Sequence, residues 1–128
     1  MTVELTSDLP GCEAQVATHV IAAIAVRAAS AVSGVVRLEP GLAGLVGSLV
    51  RTARGQLKGV DPAPVDGVRV TDDPAGLGIE VDLVTSGQDQ VAAVAGRVQR
   101  AVATEVRAAT GLPVAEVVVS VLDVELTR

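Results

Sequence analysis

The sequence contains no phenylalanine, tryptophan or tyrosine, although 49% of its residues are hydrophobic. Proteins that stack on the bases of single-stranded nucleic acid, or that enclose methylated amines in a cage, depend on aromatic rings. Those binding classes are therefore excluded. The apolar residues are mainly valine, alanine and leucine, so the core has to be built from small or branched side chains.

Histidine and cysteine are almost absent too, since the chain has one of each, His19 and Cys12. A metal centre or an activated nucleophile needs several such groups. On a continuous helix these two residues would share a face but lie about 10 Å apart along the axis, too far for a thiol–imidazole pair. We expect no catalytic residue, no metal site and no cofactor, and a lone thiol is typical of the reducing cytoplasm.

Basic charge is scarce. Ten basic against 15 acidic residues give a net charge of -5, which has the wrong sign for binding phosphate backbones, so no nucleic-acid partner is expected. Residues 1–10 have no basic residue and no apolar run, so no signal peptide is predicted. The most apolar stretch, residues 20–36, is shorter than a bilayer requires and contains Arg27, so no transmembrane segment is predicted.

The length of 128 residues predicts a single domain spanning residues 1–128. Residues 1–12 show no clear pattern and are expected to be poorly structured. Apolar residues at helical spacing predict a helix over residues 13–32, followed by a short strand at 34–38. Several glycines and prolines interrupt residues 41–67, for which we expect an irregular connection or a short helix.

From residue 68 the apolar residues alternate, which predicts a β-hairpin of residues 68–71 and 79–83. With a turn at 73–78, Arg69 would lie opposite Asp82 on a solvent-exposed face. A long helix is predicted over 88–109 and a last strand over 115–126, with a bulge near Val121 where the apolar phase changes.

A strand, a helix and another strand of these lengths predict a parallel crossover. The expected fold class is α+β: a two-layer sandwich in which two main helices pack on one face of a small, mixed, three- to four-stranded sheet.

Two groups of residues resemble binding or catalytic motifs only weakly. The neighbouring strand residues Glu80 and Asp82 could share a proton, but Arg69 across from them favours a structural ion pair. Glycines 41, 44 and 47 resemble a phosphate-binding or KH-type loop, yet no G-K-[ST] follows, so a flexible or closely packed connection is the favoured interpretation.

Two clusters of basic residues are the candidate sites for docking a partner or a membrane. A solvated surface is the commoner explanation of such clusters. The first follows an apolar run and could also contact anionic lipid, although it lacks the aromatic residues usual in lipid anchors. The candidates are Arg51, Arg54 and Lys58 in the first cluster, and Arg97, Arg100 and Arg107 on one side of the second helix.

Several short motifs, taken in order, resemble the alkaline shock protein family of bacterial envelope-stress proteins over roughly residues 13–126. The most specific part is Thr110-Gly111-Leu112 followed by alternating valines, after a helix containing the V-x-x-x-V-Q motif of residues 94–99. The other motifs are Ser33-Gly34-Val35, Gly67-Val68-x-Val70 and Thr85-Ser86-Gly87. The sequence departs from the family at Ser86, where members typically have an aromatic residue, and in lacking an evident strand before the first helix.

The resemblance implies a non-enzymatic, cytoplasmic protein that self-associates as a homo-oligomer. It also implies a peripheral position at the inner face of the membrane, through a membrane-anchored partner, and a scaffold role in envelope homeostasis. The family supplies no catalytic residues to place on this sequence. The alternative hypothesis is a small regulatory domain that binds a ligand or RNA through the glycine-rich and basic residues 41–58.

Overall fold

The computed structural model of the chain describes residues 2–6, 13–41 and 66–126. The candidate cluster at Arg51, Arg54 and Lys58 and most of the 41–67 connection lie outside the described residues. The strands are β1 (Thr2–Thr6), β2 (Glu13–Ala17), β3 (Val35–Leu38), β4 (Val68–Asp73), β5 (Gly76–Ser86) and β6 (Val114–Glu125), and the helices are α1 (Thr18–Ser30) and α2 (Val91–Thr110).

The main sheet is built around β5. On one side β5 pairs in parallel with β6, and on the other it pairs antiparallel with both β3 and β4. Strands β3 and β4 lie end to end on that side, because β3 pairs with residues 83–85 of β5 and β4 with residues 76–81. The expected mixed sheet and the parallel crossover from β5 through α2 to β6 are confirmed.

The N-terminal residues differ from expectation. Thr2–Thr6 form a strand that pairs antiparallel with Glu13–Ala17 in a separate two-stranded sheet. The predicted poorly structured terminus is therefore wrong for residues 2–6, and the first helix begins at Thr18 rather than at residue 13. Residues 13–17 could fit a helix, but here pairing with a distant segment determines their structure.

The core lies between the two helices and one face of the main sheet. Helix α2 contributes a row of valines at positions 94, 98, 102 and 106, all with no exposed surface. Helix α1 contributes mainly alanines, with Ile21. Val20 on the same helix is 42% exposed, although the apolar spacing of this segment includes it. Small side chains on α1 allow the two helices to pack closely, which completes the predicted two-layer α+β fold.

Helix α2 ends as the sequence predicts. Gly111 adopts a left-handed conformation with φ 73°, and its N–H bonds to the carbonyl oxygen of Arg107 at 2.8 Å. The Thr110 hydroxyl donates to the Val106 carbonyl and accepts from the N–H of Leu112. This cap ends α2 and directs the chain into β6, which completes the parallel crossover from β5.

Strand β6 changes register twice against β5. Ala115 and Leu122 are the extra residues at the two shifts. The second shift confirms the bulge predicted near Val121, whereas the first was not predicted. Between the shifts, Val117, Val119 and Val121 face the core.

The hairpin is confirmed, but its predicted register is wrong by two residues. Asp73 pairs directly with Gly76, so that Pro74 and Ala75 alone form the turn, and Arg69 lies opposite Glu80 rather than Asp82. The face predicted to be exposed is also buried at its centre. Asp82 has no exposed surface and Arg69 only 5%.

Two glycines with positive φ allow a test of how closely the chain packs where β4 begins. At Gly67 (φ 86°) an added Cβ would lie 2.9 Å from backbone atoms of Glu39, whereas at Gly111 (φ 73°) it would meet nothing within 4 Å. Gly111→Ala should cost about 1–2 kcal/mol of unfolding free energy from backbone strain alone. Gly67→Ala should cost ~1–3 kcal/mol more, because of the added crowding. Urea denaturation measures both, and equal losses would contradict the close approach.

Candidate functional site

A buried ionic cluster joins β4 to β5. The Arg69 guanidinium binds both carboxylate oxygens of Asp82, with Nη1–Oδ2 at 3.0 Å and Nη2–Oδ1 at 3.2 Å. Its Nε donates to Glu80 at 2.9 Å. Arg69 and Glu80 are directly paired across the strands, and Asp82 is the diagonal neighbour, which is a spacing that a long side chain can bridge.

The cluster lies where β3 ends and β4 begins. The backbone N–H of Gly41 donates to Asp82 Oδ2 at 3.1 Å. The Asp82 carbonyl accepts the N–H of Glu39, and the Asp82 N–H donates to the carbonyl of Gly67. One residue of β5 therefore bonds to the chain leaving β3 and to the chain entering β4.

This arrangement favours a structural role over proton transfer. A general acid or base needs a carboxylate that can approach a substrate, and Asp82 is wholly buried with both its oxygens bonded. Among the described residues, no three histidine, cysteine, aspartate or glutamate side chains come together to hold a metal ion.

The three candidate arginines of α2 do not form one patch. Arg97 Nη2 donates to Asp89 at 2.8 Å and to the Ser33 carbonyl at 3.1 Å, and thereby ties α2 to the end of α1. Arg100 and Arg107 instead line an open groove of about 400 Å³ between α2 and the start of β6. Arg100 and Arg107 are thus the two candidates whose surroundings suit contact with another molecule.

Two side chains of α2 cover the backbone of β6 within this groove. Arg107 Nη2 donates to the Val114 carbonyl and Gln99 Nε2 to the Val117 carbonyl, each at 3.1 Å. Sequence reasoning missed the contribution of Gln99. Its position in the V-x-x-x-V-Q motif was visible, but its contact depends on how α2 aligns with β6.

The outer side of β6 is an edge of the main sheet that no other described strand covers. Among the described residues, β6 forms strand pairs only with β5, so its other edge carries backbone groups that no strand binds. Val118 and Val124 on this strand are 40% and 37% exposed. A long, valine-rich edge is a template for pairing with another strand.

The sequence pattern of one family covers nearly the whole chain. The profile of the alkaline shock protein 23 family, described as having a cell envelope-related function, matches residues 11–126. The chain belongs to this family. No curated protein and no solved structure matches the chain.

The motifs that resemble the alkaline shock protein family lie at the ends of strands and helices. The Ser86 N–H, at the end of β5, donates to the Gly34 carbonyl at 2.8 Å, which brings two of the motifs together. Gly67 binds Asp82 at the start of β4, and Gly111 caps α2. In this member of the family, the motifs therefore position strands and helices.

An exposed ion-pair cluster closes the far end of the sheet in this alkaline shock protein. Arg37 donates to Glu125 at 2.6 Å and to Glu39 at 3.0 Å, which joins β3 to β6 across the end of β5. The bond to Glu125, followed by that to Glu39, raises the pKa of the Arg37 guanidinium above its ordinary value. Arg37 is therefore charged throughout the pH range in which proteins remain folded.

Neither α1 nor α2, the helices of the described part of this family member, has the combined length and hydropathy needed to cross a bilayer.

Replacing Arg69 should reveal how far the fold depends on the buried cluster. Arg69→Met leaves the Asp82 carboxylate buried without its cation, and we expect a loss of about 3–5 kcal/mol in unfolding free energy. Adding Asp82→Leu should recover part of the loss, because it removes the unpaired charge. The matched control is Arg37→Met, which breaks an exposed pair and should have little effect. If denaturant unfolding gives Arg69→Met and Arg37→Met the same stability, the cluster is not a main source of stability.

Proposed function

We propose that this protein is a non-enzymatic, self-associating scaffold or interaction module of the cell envelope. It acts at the cytoplasmic face of the membrane, where a membrane-anchored partner protein holds it. The observation that carries the proposal is the outer edge of β6, a strand of 12 residues on which Val118 and Val124 are exposed and with which, among the described residues, no strand other than β5 pairs.

Family membership supports the location. The family is described as cell envelope-related. The inner membrane surface is negatively charged, and the chain has a net charge of -5. Because like charges repel, the overall charge opposes direct adsorption to lipid and favours attachment through another protein.

The non-enzymatic part of the proposal is supported by the structural ion pairs that two strand carboxylates form. Glu80 and Asp82 are the acids whose spacing suggested shared-proton chemistry, and Arg69 binds them both. A binding protein instead needs accessible edges and grooves, such as β6 and the groove beside it.

Self-association should be visible in purified protein. Light scattering over a range of concentrations should give masses that rise above the 12.8 kDa of one chain. A sample that stays at the mass of one chain at every concentration would contradict the scaffold.

Attachment to the membrane should require protein rather than lipid. Cross-linking in cells, followed by pull-down from membranes, should recover a membrane-anchored protein, and vesicles containing anionic lipid should not pull the purified chain down on their own. If they do, Arg51→Glu with Arg54→Glu tests whether the first basic cluster binds lipid. Loss of sedimentation in that variant would replace the protein partner with direct lipid contact.

A further inference from the structure

The contacts of β6 show which of its backbone groups point away from β5. Within a strand, the N–H and C=O groups of alternate residues point toward opposite neighbours. The Pro113 and Glu125 carbonyls accept hydrogen bonds from Leu77 and Gly87, on the β5 side. The Val114 and Val117 carbonyls accept side chains of α2 and so point outward.

Alternation extends this assignment along the strand. The backbone N–H and C=O groups of Val119 and Val121 point away from β5, like those of Val117, up to the bulge at Leu122. The bulge shifts this alternation by one residue. Because the carbonyl of Glu125 points toward β5, the backbone groups of Val124 point outward.

Both ends of the outward edge are already covered. Arg107 and Gln99 donate to the carbonyls of Val114 and Val117. At the other end the outward N–H of Val124 donates to the carboxylate of its neighbour Asp123 at 2.8 Å. Within the part of the chain that the structure describes, the open window therefore runs from Val117, whose carbonyl oxygen keeps a second lone pair beside the bond from Gln99, to Val121, and Val119 is its centre.

We infer that a second copy of this chain fills this window, with the two β6 strands antiparallel about a two-fold axis at Val119. This inference rests on the proposed self-association and names its surface. The outward N–H of Val119 donates to the Val119 carbonyl of the second copy, and its own carbonyl accepts the N–H of that residue. Val117 of each copy pairs with Val121 of the other. The two sheets become one, with all helices on the same face.

Charge favours the antiparallel orientation. The start of β6 lies beside Arg100 and Arg107, with Glu116 in the same groove, and its end carries Asp123 and also Glu125, which Arg37 binds. Antiparallel pairing brings the acidic end of each strand to the basic end of the other. It also sets Glu116 opposite Leu122, so that no two carboxylates of the strands face one another directly.

A parallel, in-register pair would instead set Glu116 beside Glu116 and Asp123 beside Asp123. Like charges in such positions are destabilising.

An engineered disulfide tests the register. In the proposed dimer Val118 lies opposite Ser120 of the second copy, in a non-hydrogen-bonded pair whose Cα atoms are about 4.5 Å apart. Disulfides accept Cα separations of roughly 4.4–6.8 Å. With Cys12→Ser as background, Val118→Cys with Ser120→Cys should give a covalent dimer under mild oxidation on a non-reducing gel. Val118 is partly exposed, so the change should leave the fold intact, and a melting curve checks this.

Two control variants measure the background of cross-linking and test an alternative strand register. Val118→Cys alone measures collisional cross-linking. Glu116→Cys with Val118→Cys should stay at that background, because its residues would face one another only if the two-fold axis lay at Val117. Cross-linking of this pair in preference to the first would overturn the register.

Proline variants provide a second measurement that needs no oxidation. Proline removes one backbone N–H, and at an outward position it costs no bond to β5. Val119→Pro should weaken the dimer about tenfold or more in sedimentation experiments, since the two-fold axis removes the bond twice. Val124→Pro, whose N–H is outward but already covered, is the matched control and should dimerise like the unmodified protein.

The outcomes separate the two proposals. If the unmodified protein associates but the first cysteine pair stays at background and Val119→Pro has no effect, the β6 pairing is wrong and the scaffold stands. If the unmodified protein remains monomeric at all concentrations, both are wrong.

Discussion

The bidentate pair between Arg69 and Asp82 is the interaction on which the main sheet depends. Strand β5 has to accept two separate strands along one side, and Asp82 lies where they meet. Its carboxylate binds Arg69 of β4 and the N–H of Gly41 after β3. Removing two charges from water is costly, and it is tolerated when both are bonded in a good geometry. Here that geometry also fixes the position of both strand ends.

The second constraint is the absence of large side chains. The helix layer fits the sheet through a row of α2 valines and an alanine-rich face of α1. Alanine and valine lose little rotamer freedom when buried, and they allow close approach. Large aromatic side chains are not available to fill a gap, so the elements have to meet closely. Such a core is consistent with a protein that works through its surface.

Much of the fold follows from local pattern. The period-two alternation on β4 and β5 and the long helical segment at residues 88–109 predicted elements that the structure contains. Errors arose where the pairing between two segments decides. The strand at residues 13–17 forms by pairing with residues 2–6, in which no pattern was recognised. The hairpin register failed because Pro74 and Ala75 turn the chain more tightly than the predicted loop.

The candidate site was less predictable. The arginines of α2 could be named from the sequence, but only their packing shows that Arg97 holds α1 while Arg100 and Arg107 flank β6. Asp82 bonds to Glu39 and Gly41, which lie far away in the sequence. The residues next to Asp82 in the sequence therefore do not predict its surroundings. The three caps on β6 depend on the alignment of a helix with a strand and on two bulges, and each is a long-range outcome.

The end-to-end placement of β3 and β4 has a consequence for how large an assembly can grow. A sheet with two uninterrupted edges can add molecules without limit and form a fibre. In this sheet the side opposite β6 is divided between two short strands, and the break falls at the Asp82 junction. For the dimer proposed above, β6 is therefore the one long, unbroken edge that the described sheet offers for strand addition. Under that proposal, a larger assembly would be built from closed pairs joined through surfaces of another kind.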